Sequence, residues 1–240
     1  LPPAPSSKPS RPILGRLIAR GISGVALVLG VTAAIVASDL DRHWPLDLRE
    51  PPGAFTQWRI RALAASPDLC RRVLARSEVE VRTAAARPLA GGCGYEDGVV
   101  PASASIALGA PPALRCAMAA AVTAWERHVV EPAALRHLGS KLAEIRHFGS
   151  YSCRNVYGRA TGRRSQHATA NALDVAAFRL ADGRTVSVLG DWDDGGPRAA
   201  FLREVRDGAC GLFAGVLSPD YNAAHRDHFH FDLGPFDICR

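Results

Sequence analysis

The segment His225-Arg226-Asp227-His228-Phe229-His230-Phe231-Asp232-Leu233 constrains the fold more than any other part of the chain. Side chains alternate faces along a β-strand. Read as a strand over 227–233, the segment places His228, His230 and Asp232 on one face and Phe229, Phe231 and Leu233 on the other. The aromatic face must be buried. The opposite face gathers two imidazoles and a carboxylate, which is costly inside a protein unless the groups line a site.

A second segment supplies the complement. The run from Ala172 to Phe178 predicts another strand, with Ala172, Asp174 and Ala176 on one face and Leu173, Val175 and Ala177 on the other. A carboxylate within such an apolar run must be paired, ligated or neutralised. His167 lies seven residues earlier and can fold back from the preceding loop. Two imidazoles and a carboxylate suit one zinc ion, with the fourth position left to a water whose pKa falls to about 7. The candidate ligands are therefore His167, Asp174 and a histidine of the 228–230 face.

The N-terminal part carries a different signal. Gly21 to Ala37 is an uncharged run of apolar and small residues, preceded by Lys8, Arg11, Arg16 and Arg20. Its length is at the short end of what crosses a bilayer, ~17–25 residues. The basic flank places the N-terminus in the cytoplasm and the remainder beyond the inner membrane, in the periplasm. The expected organisation is a cytoplasmic tail over 1–16, a transmembrane anchor over 17–38, a linker over 39–57 and a folded domain over 58–240. A secretory signal cleaved near Val36-Ala37-Ser38 is the alternative. The net charge of +6 invites a nucleic-acid reading, but the four leading cations leave only +2 for the rest. No nucleic-acid partner is expected on that balance.

Six cysteines follow: Cys70, Cys93, Cys116, Cys153, Cys210 and Cys239. None forms a Cys-x-x-Cys pair. For an exported domain three disulfides are expected, and the 15 possible pairings stay open. Helices are expected from Pro67 to about Arg76, from Pro112 to His128 with Glu131-Pro132 as its end, and from Pro197 to Cys210. Strands are expected at 79–83, 145–151, 173–178 and, last, 227–233. The irregular order points to an α+β domain with a small, mostly antiparallel sheet and flanking helices. Trp192 reads equally as a groove wall or a core residue.

The chain resembles the bacterial extensin-like C-terminal domain proteins. These resemble in turn the zinc peptidases grouped with D-alanyl-D-alanine carboxypeptidases, murein endopeptidases and hedgehog-type domains. The likeness covers roughly residues 60–240. It is carried by Tyr151-Ser152-Cys153-Arg154-Asn155, by Ser165 through Asp174, and by His225 through Asp232. Ser165, His167, Ala172 and Asp174 match the group's motif Ser-x-His-x-x-Gly-x-Ala-x-Asp. Ala170 replaces its glycine, which asks for a different local backbone. The spacing His225-x-x-His228-x-His230 is similar to that of murein endopeptidases, and this likeness implies His230 as the third zinc ligand beside His167 and Asp174.

The resemblance implies a zinc peptidase whose partner and substrate is peptidoglycan, cut at D-amino-acid stem peptides or cross-links, and the anchor expected above makes it membrane-anchored and periplasmic. Many relatives place a glutamate shortly before the last histidine, and this chain has none there. His228, then His225, are the candidate acid–base groups in its stead. Asp227 is expected on the face opposite His228, and Asp232 could orient a ligand imidazole. Arg154 is the candidate for binding a substrate carboxylate, and Ser165 either binds substrate or caps a turn. The alternative function is a non-catalytic, zinc-containing module of the same fold that binds the wall or a protein.

Overall fold

The computed structural model describes residues 44–103 and 105–240, together with Thr32, Val36, Asp39, Asp41 and Arg42. The expected tail and nearly all of the expected transmembrane span lie outside the described residues. Among the described residues no helix is long and apolar enough to cross a membrane.

Two short helices open the folded region, α1 (Thr56–Ala62) and α2 (Pro67–Arg76). The second begins as expected, with proline in the first turn and Asp68 behind it, although Ser66 makes no side-chain cap bond. The small strands β1 (Val81–Thr83), β2 (Arg87–Ala90), β3 (Cys93–Tyr95), β4 (Gly98–Pro101) and β5 (Leu114–Arg115) follow. They form a three-stranded sheet, β1-β4-β5, and the hairpin β2-β3.

Helix α3 (Cys116–Trp125) is apolar all round, and all ten of its residues are buried. Glu131-Pro132 was expected to end it, but the helical path continues. One π-turn, Glu126–Val130, shifts the register, and α4 (Glu131–Leu138) starts with Pro132 in its first turn. The π-turn carries the Glu131 N–H to the Glu126 carbonyl, and the shifted ladder accommodates Pro132, which has no N–H to donate. Gly139, with φ +65°, closes the helix in the left-handed region.

The remaining elements are β6 (Leu142–Gly149), β7 (Ala172–Leu180), β8 (Thr185–Ser187), α5 (Val188–Asp191), α6 (Pro197–Ala209), β9 (Gly215–Leu217), β10 (Phe229–Asp232) and β11 (Ile238–Cys239). They build the main sheet in the order β11-β9-β10-β7-β6, with β8 beside β7. The nine residues of β7 form its spine. One edge pairs with β6, and the other pairs first with β10 and then with β8. Every neighbour is antiparallel except β11 on β9. The molecule is thus a mixed α+β fold with small antiparallel sheets. The strand at 238–239 lies beyond the one expected to be last, and two residues are too few to show an alternation.

Trp125 of α3 centres the core. Its ring packs against Phe178, Phe213 and Phe231, and its indole N–H donates to the Val205 carbonyl at 3.0 Å. Phe229 is also fully buried, against Trp192. Trp192 is therefore a core residue. The segment expected to be a linker is partly built in: Leu46 and Leu48 sit in the core, and the Leu48 N–H donates to Ser77 Oγ at 2.8 Å.

The six cysteines form three disulfides, Cys70–Cys116, Cys93–Cys153 and Cys210–Cys239. The first joins α2 to α3, and the third joins the end of α6 to β11. The second joins β3 to the loop after β6, across 60 residues of sequence. Replacing Cys93 and Cys153 by alanine is expected to lower unfolding free energy by about 2–5 kcal/mol, as for closed loops of this size. Urea or guanidinium titration reads this as a lower midpoint, and an unchanged midpoint would contradict it.

Candidate metal centre

The site lies where β7 and β10 pair. His230 stands directly across from Asp174, with Phe231 against Leu173 and Phe229 against Val175. Burial of Phe229 and Phe231 leaves His230 and Asp232 on the opposite face, as the alternation requires. The same alternation brings Asp174 onto that face from β7.

His167 arrives from a 3-10 turn, Gln166–Thr169, just before β7. Ser165 caps this turn, its hydroxyl accepting from the His167 N–H at 3.3 Å. Ser165 thus caps the turn, and it also lines a groove beside His225 and His230. Ala170 closes the turn at φ +53°, ψ +28°. The local backbone is the left-handed one that glycine adopts freely, not the different path expected from the substitution. An L-residue pays roughly 1–2 kcal/mol for it. Ala170 is fully buried beside Ala84, Tyr95 and Val100, which hold it there.

Three ligand atoms converge. His167 Nε2 lies 3.1 Å from Asp174 Oδ1 and 3.2 Å from His230 Nδ1, and the last two are 2.9 Å apart. All three residues are buried. Tetrahedral zinc with bonds of about 2.0–2.1 Å separates its ligand atoms by about 3.3 Å. The triangle is only slightly tighter than that.

The far side of each ring decides what these atoms carry. His167 Nδ1 donates to the Ser150 carbonyl at 2.7 Å, and a carbonyl can only accept. His230 Nε2 donates to Asp232 Oδ2 at 2.9 Å. The proton of each neutral imidazole is thereby spent outside the triangle. Inside it, two nitrogen lone pairs face a carboxylate oxygen, an arrangement that repels unless a cation or additional protons occupy the centre. The titration of the protein alone expresses the same pull. Burial disfavours charge on His230, but Asp174 and Asp232 outweigh it and push the imidazole up to about 9. Burial would raise Asp174, yet His167 and His230, when they carry the additional protons and donate to it, hold it well below the usual carboxylate range.

Asp232 is itself held. Its Oδ1 accepts from the Gly234 N–H at 2.6 Å. A Cβ on Gly215 would come within 2.4 Å of its Oδ2, so only glycine fits beside it on β9.

His228 and His225 stand next to the triangle but outside strand β10. Residues 223–228 form a 3-10 turn, Ala223–His225, and a bend, so strand alternation does not govern them. Asp227 was expected on the face away from His228. Instead its Oδ1 accepts from His228 Nδ1 at 2.8 Å. That leaves Nε2 toward Asp174, 3.7 Å from Oδ1. His225 Nδ1 lies 2.9 Å from Asn222 Oδ1, which also accepts from the Ala224 N–H. Asn222 Nδ2 donates to the Tyr157 hydroxyl at 3.0 Å. The amide is oriented by these bonds, so His225 Nδ1 is the donor and Nε2 carries a lone pair. Burial, then the neighbouring His230 and His228, push His225 down to about 4, so it is neutral at pH 7.

A groove of about 290 Å³ opens beside His225 and His230. Arg154, Arg163 and Arg164 line it with Tyr157 and Phe236. Arg164 donates to the Gly91 carbonyl and to Asn155 Oδ1, and Arg163 lies over the Phe236 ring. Arg154 is half-buried at the groove. The structure thus brings together all seven candidate residues: Ser165, Arg154, His225 and His230 line the groove, and His167, Asp174 and His228 stand beside His230. The ties through Ser150, Asn222 and Gly215 were not seen in the sequence, because a carbonyl oxygen or a missing Cβ leaves no pattern there. The Asp227–His228 contact was visible only as adjacency.

The family model for the extensin-like protein C-terminus matches residues 68–240. The match covers well over half of the chain, and the chain belongs to that family. No curated protein and no solved structure matches it.

Replacing Asp232 by alanine removes an orienting partner and none of the three ligand atoms. Zinc affinity, measured by competition with a chromophoric chelator, is expected to fall about 10–100-fold. An unchanged affinity would show that the Asp232 contact does not orient His230.

Proposed function

We propose that this protein is a zinc-dependent peptidase that hydrolyses peptide bonds of peptidoglycan from the periplasmic side of the inner membrane. The observation that carries the reading is the buried triangle of His167, Asp174 and His230, with both imidazole protons committed elsewhere. His167 Nε2, His230 Nδ1 and an Asp174 oxygen would hold the ion. Bound there, zinc supplies a Lewis acid for a carbonyl and lowers the pKa of a water to about 7.

The chain's own residues do the rest. His228 presents Nε2 beside the triangle, with its other nitrogen fixed by Asp227. It takes the proton of the attacking water and returns it to the leaving amine. This is the part that a glutamate plays in many relatives, and the groove lining contains no glutamate. His225, neutral and held by Asn222, keeps positive charge from accumulating next to His228. Arg154 binds a carboxylate of the stem peptide, since a guanidinium pairs with it bidentately. Asp232 and the Ser150 carbonyl keep the two ligand imidazoles in their tautomers.

Three disulfides support a location in an oxidising compartment. The apolar run Gly21–Ala37 with its basic flank supports an anchor in the inner membrane. The missing glutamate favours one other reading, a zinc-containing module that binds the wall without cutting it.

Incubation of the zinc-loaded protein with isolated sacculi, followed by mass spectrometry of released muropeptides, separates the two. Wild type is expected to release products. His230→Ala should lose both zinc and product, and His228→Ala should keep zinc and lose about 10²–10⁴-fold in rate. Full-rate product from both variants would overturn the site. Wild type that holds zinc and releases nothing would favour the binding module.

A further inference from the structure

The protein has four tryptophans, and they divide sharply. Trp125 and Trp192 are in the core, 0% and 2% exposed, whereas Trp44 and Trp58 are each 53% exposed. Phe55, 60% exposed, lies between them. Its ring meets Trp44 edge-on at 6.4 Å, and Trp58 follows three residues later on α1, toward the same side. Three large aromatic side chains thus form one outward patch at the N-terminal end of the folded region.

The patch is built rather than loose. Leu46 and Leu48 bury the backbone that carries Trp44. The Arg59 guanidinium lies under the Trp44 ring at 4.7 Å and also donates to the Trp44 carbonyl. Asp41 accepts from Arg76 at 3.0 Å, which fixes the chain just before the patch. Gln57 of α1 donates to the Phe213 carbonyl at 2.6 Å. Arg59 and Phe55 pack on Trp44, yet more than half of Trp44, Phe55 and Trp58 alike stays exposed.

The sequence says what lies next to them. The apolar run Gly21–Ala37 ends seven residues before Trp44. Seven residues reach at most about 25 Å when fully extended. A domain on so short a tether cannot move far from the end of that run. Tryptophan is the side chain most at home at the boundary between hydrocarbon and water, because its ring is apolar and its indole N–H is polar.

We infer that Trp44, Phe55 and Trp58 form a membrane-contact face that rests in the outer, periplasmic interfacial layer of the lipid bilayer. The inference rests on the anchored reading of residues 21–37. It adds an orientation to that reading. The helix that carries Trp58 also carries Arg61, which donates to Asp237 at 2.8 Å and to the Gly234 carbonyl at 3.3 Å. Gly234 and Phe236 form the wall of the arginine-lined groove. A lipid-bound α1 would therefore hold the groove's rim at a set height above the membrane, not free in the periplasm.

The test uses the full chain reconstituted into phosphatidylcholine vesicles, with bromine on the acyl chains near the headgroups as a contact quencher of tryptophan emission. Part of the emission is expected to be quenched relative to unbrominated vesicles. In the Trp44→Phe/Trp58→Phe variant, which keeps the patch apolar and the buried tryptophans in place, the quenched part should be lost. Flotation of the vesicles on a density gradient is read in parallel. Protein that floats with the vesicles but shows no quenching, or equal quenching in the variant, overturns the membrane face and leaves the anchor standing. Protein that does not float overturns both.

Discussion

The pairing of β10 with β7 is the constraint on which the site depends. It sets His230 opposite Asp174, and it does so through residues that never touch the site. Phe229 and Phe231 pack under Trp125, Phe213 and Trp192, and a slip of one residue would turn them outward. The aromatic core thus fixes the register, and the register fixes the distance between an imidazole and a carboxylate that are 56 residues apart in sequence. A buried carboxylate facing two lone pairs would be strongly unfavourable if nothing positive sat between them. The core stabilises the strand pair by enough to hold that arrangement.

Around this pair the chain adds three supports. A capped turn with an alanine in the left-handed region presents His167. The Ser150 carbonyl and Asp232 choose the tautomers. The disulfide Cys93–Cys153 ties the loop that contains Ser150's neighbours and Arg154 to the β2–β3 hairpin. Each support acts on the position of a ligand or groove residue, and none of them replaces the β7–β10 register.

Much of the centre was legible in the sequence because a period of two has few interpretations. Asp174 and His230 each lie within a strongly alternating segment, and His167 lies within one short loop of the first. The α+β class and the three disulfides were legible for similar reasons of pattern and count. What escaped had a physical cause in each instance. Residues 225–228 form a bend, so extending the strand rule to Asp227 gave the wrong face. Pro132 reads as a helix end, but a π-turn before it places it in a new first turn. Ala170 was taken to change the backbone, yet burial among Ala84, Tyr95 and Val100 outweighs the strain of its φ. The segment around Leu46 and Leu48 looked like a linker because its prolines hid a short alternation that is buried on one side.

The groove beside His225 and His230 is lined by Arg154, Arg163 and Arg164, none of which pairs with a carboxylate among the described residues. Guanidinium groups without a carboxylate partner suit a ligand that carries a carboxylate, which the planar fork can bind bidentately. The chemistry stands or falls with the ion. X-ray absorption at the zinc edge, on the full chain loaded with one equivalent, is the most direct measurement of it. A first shell of nitrogen and oxygen at about 2.0–2.1 Å, with imidazole scattering from two histidines, is expected. Sulfur at about 2.3 Å, or a spectrum unchanged in His230→Ala, would contradict the centre described here.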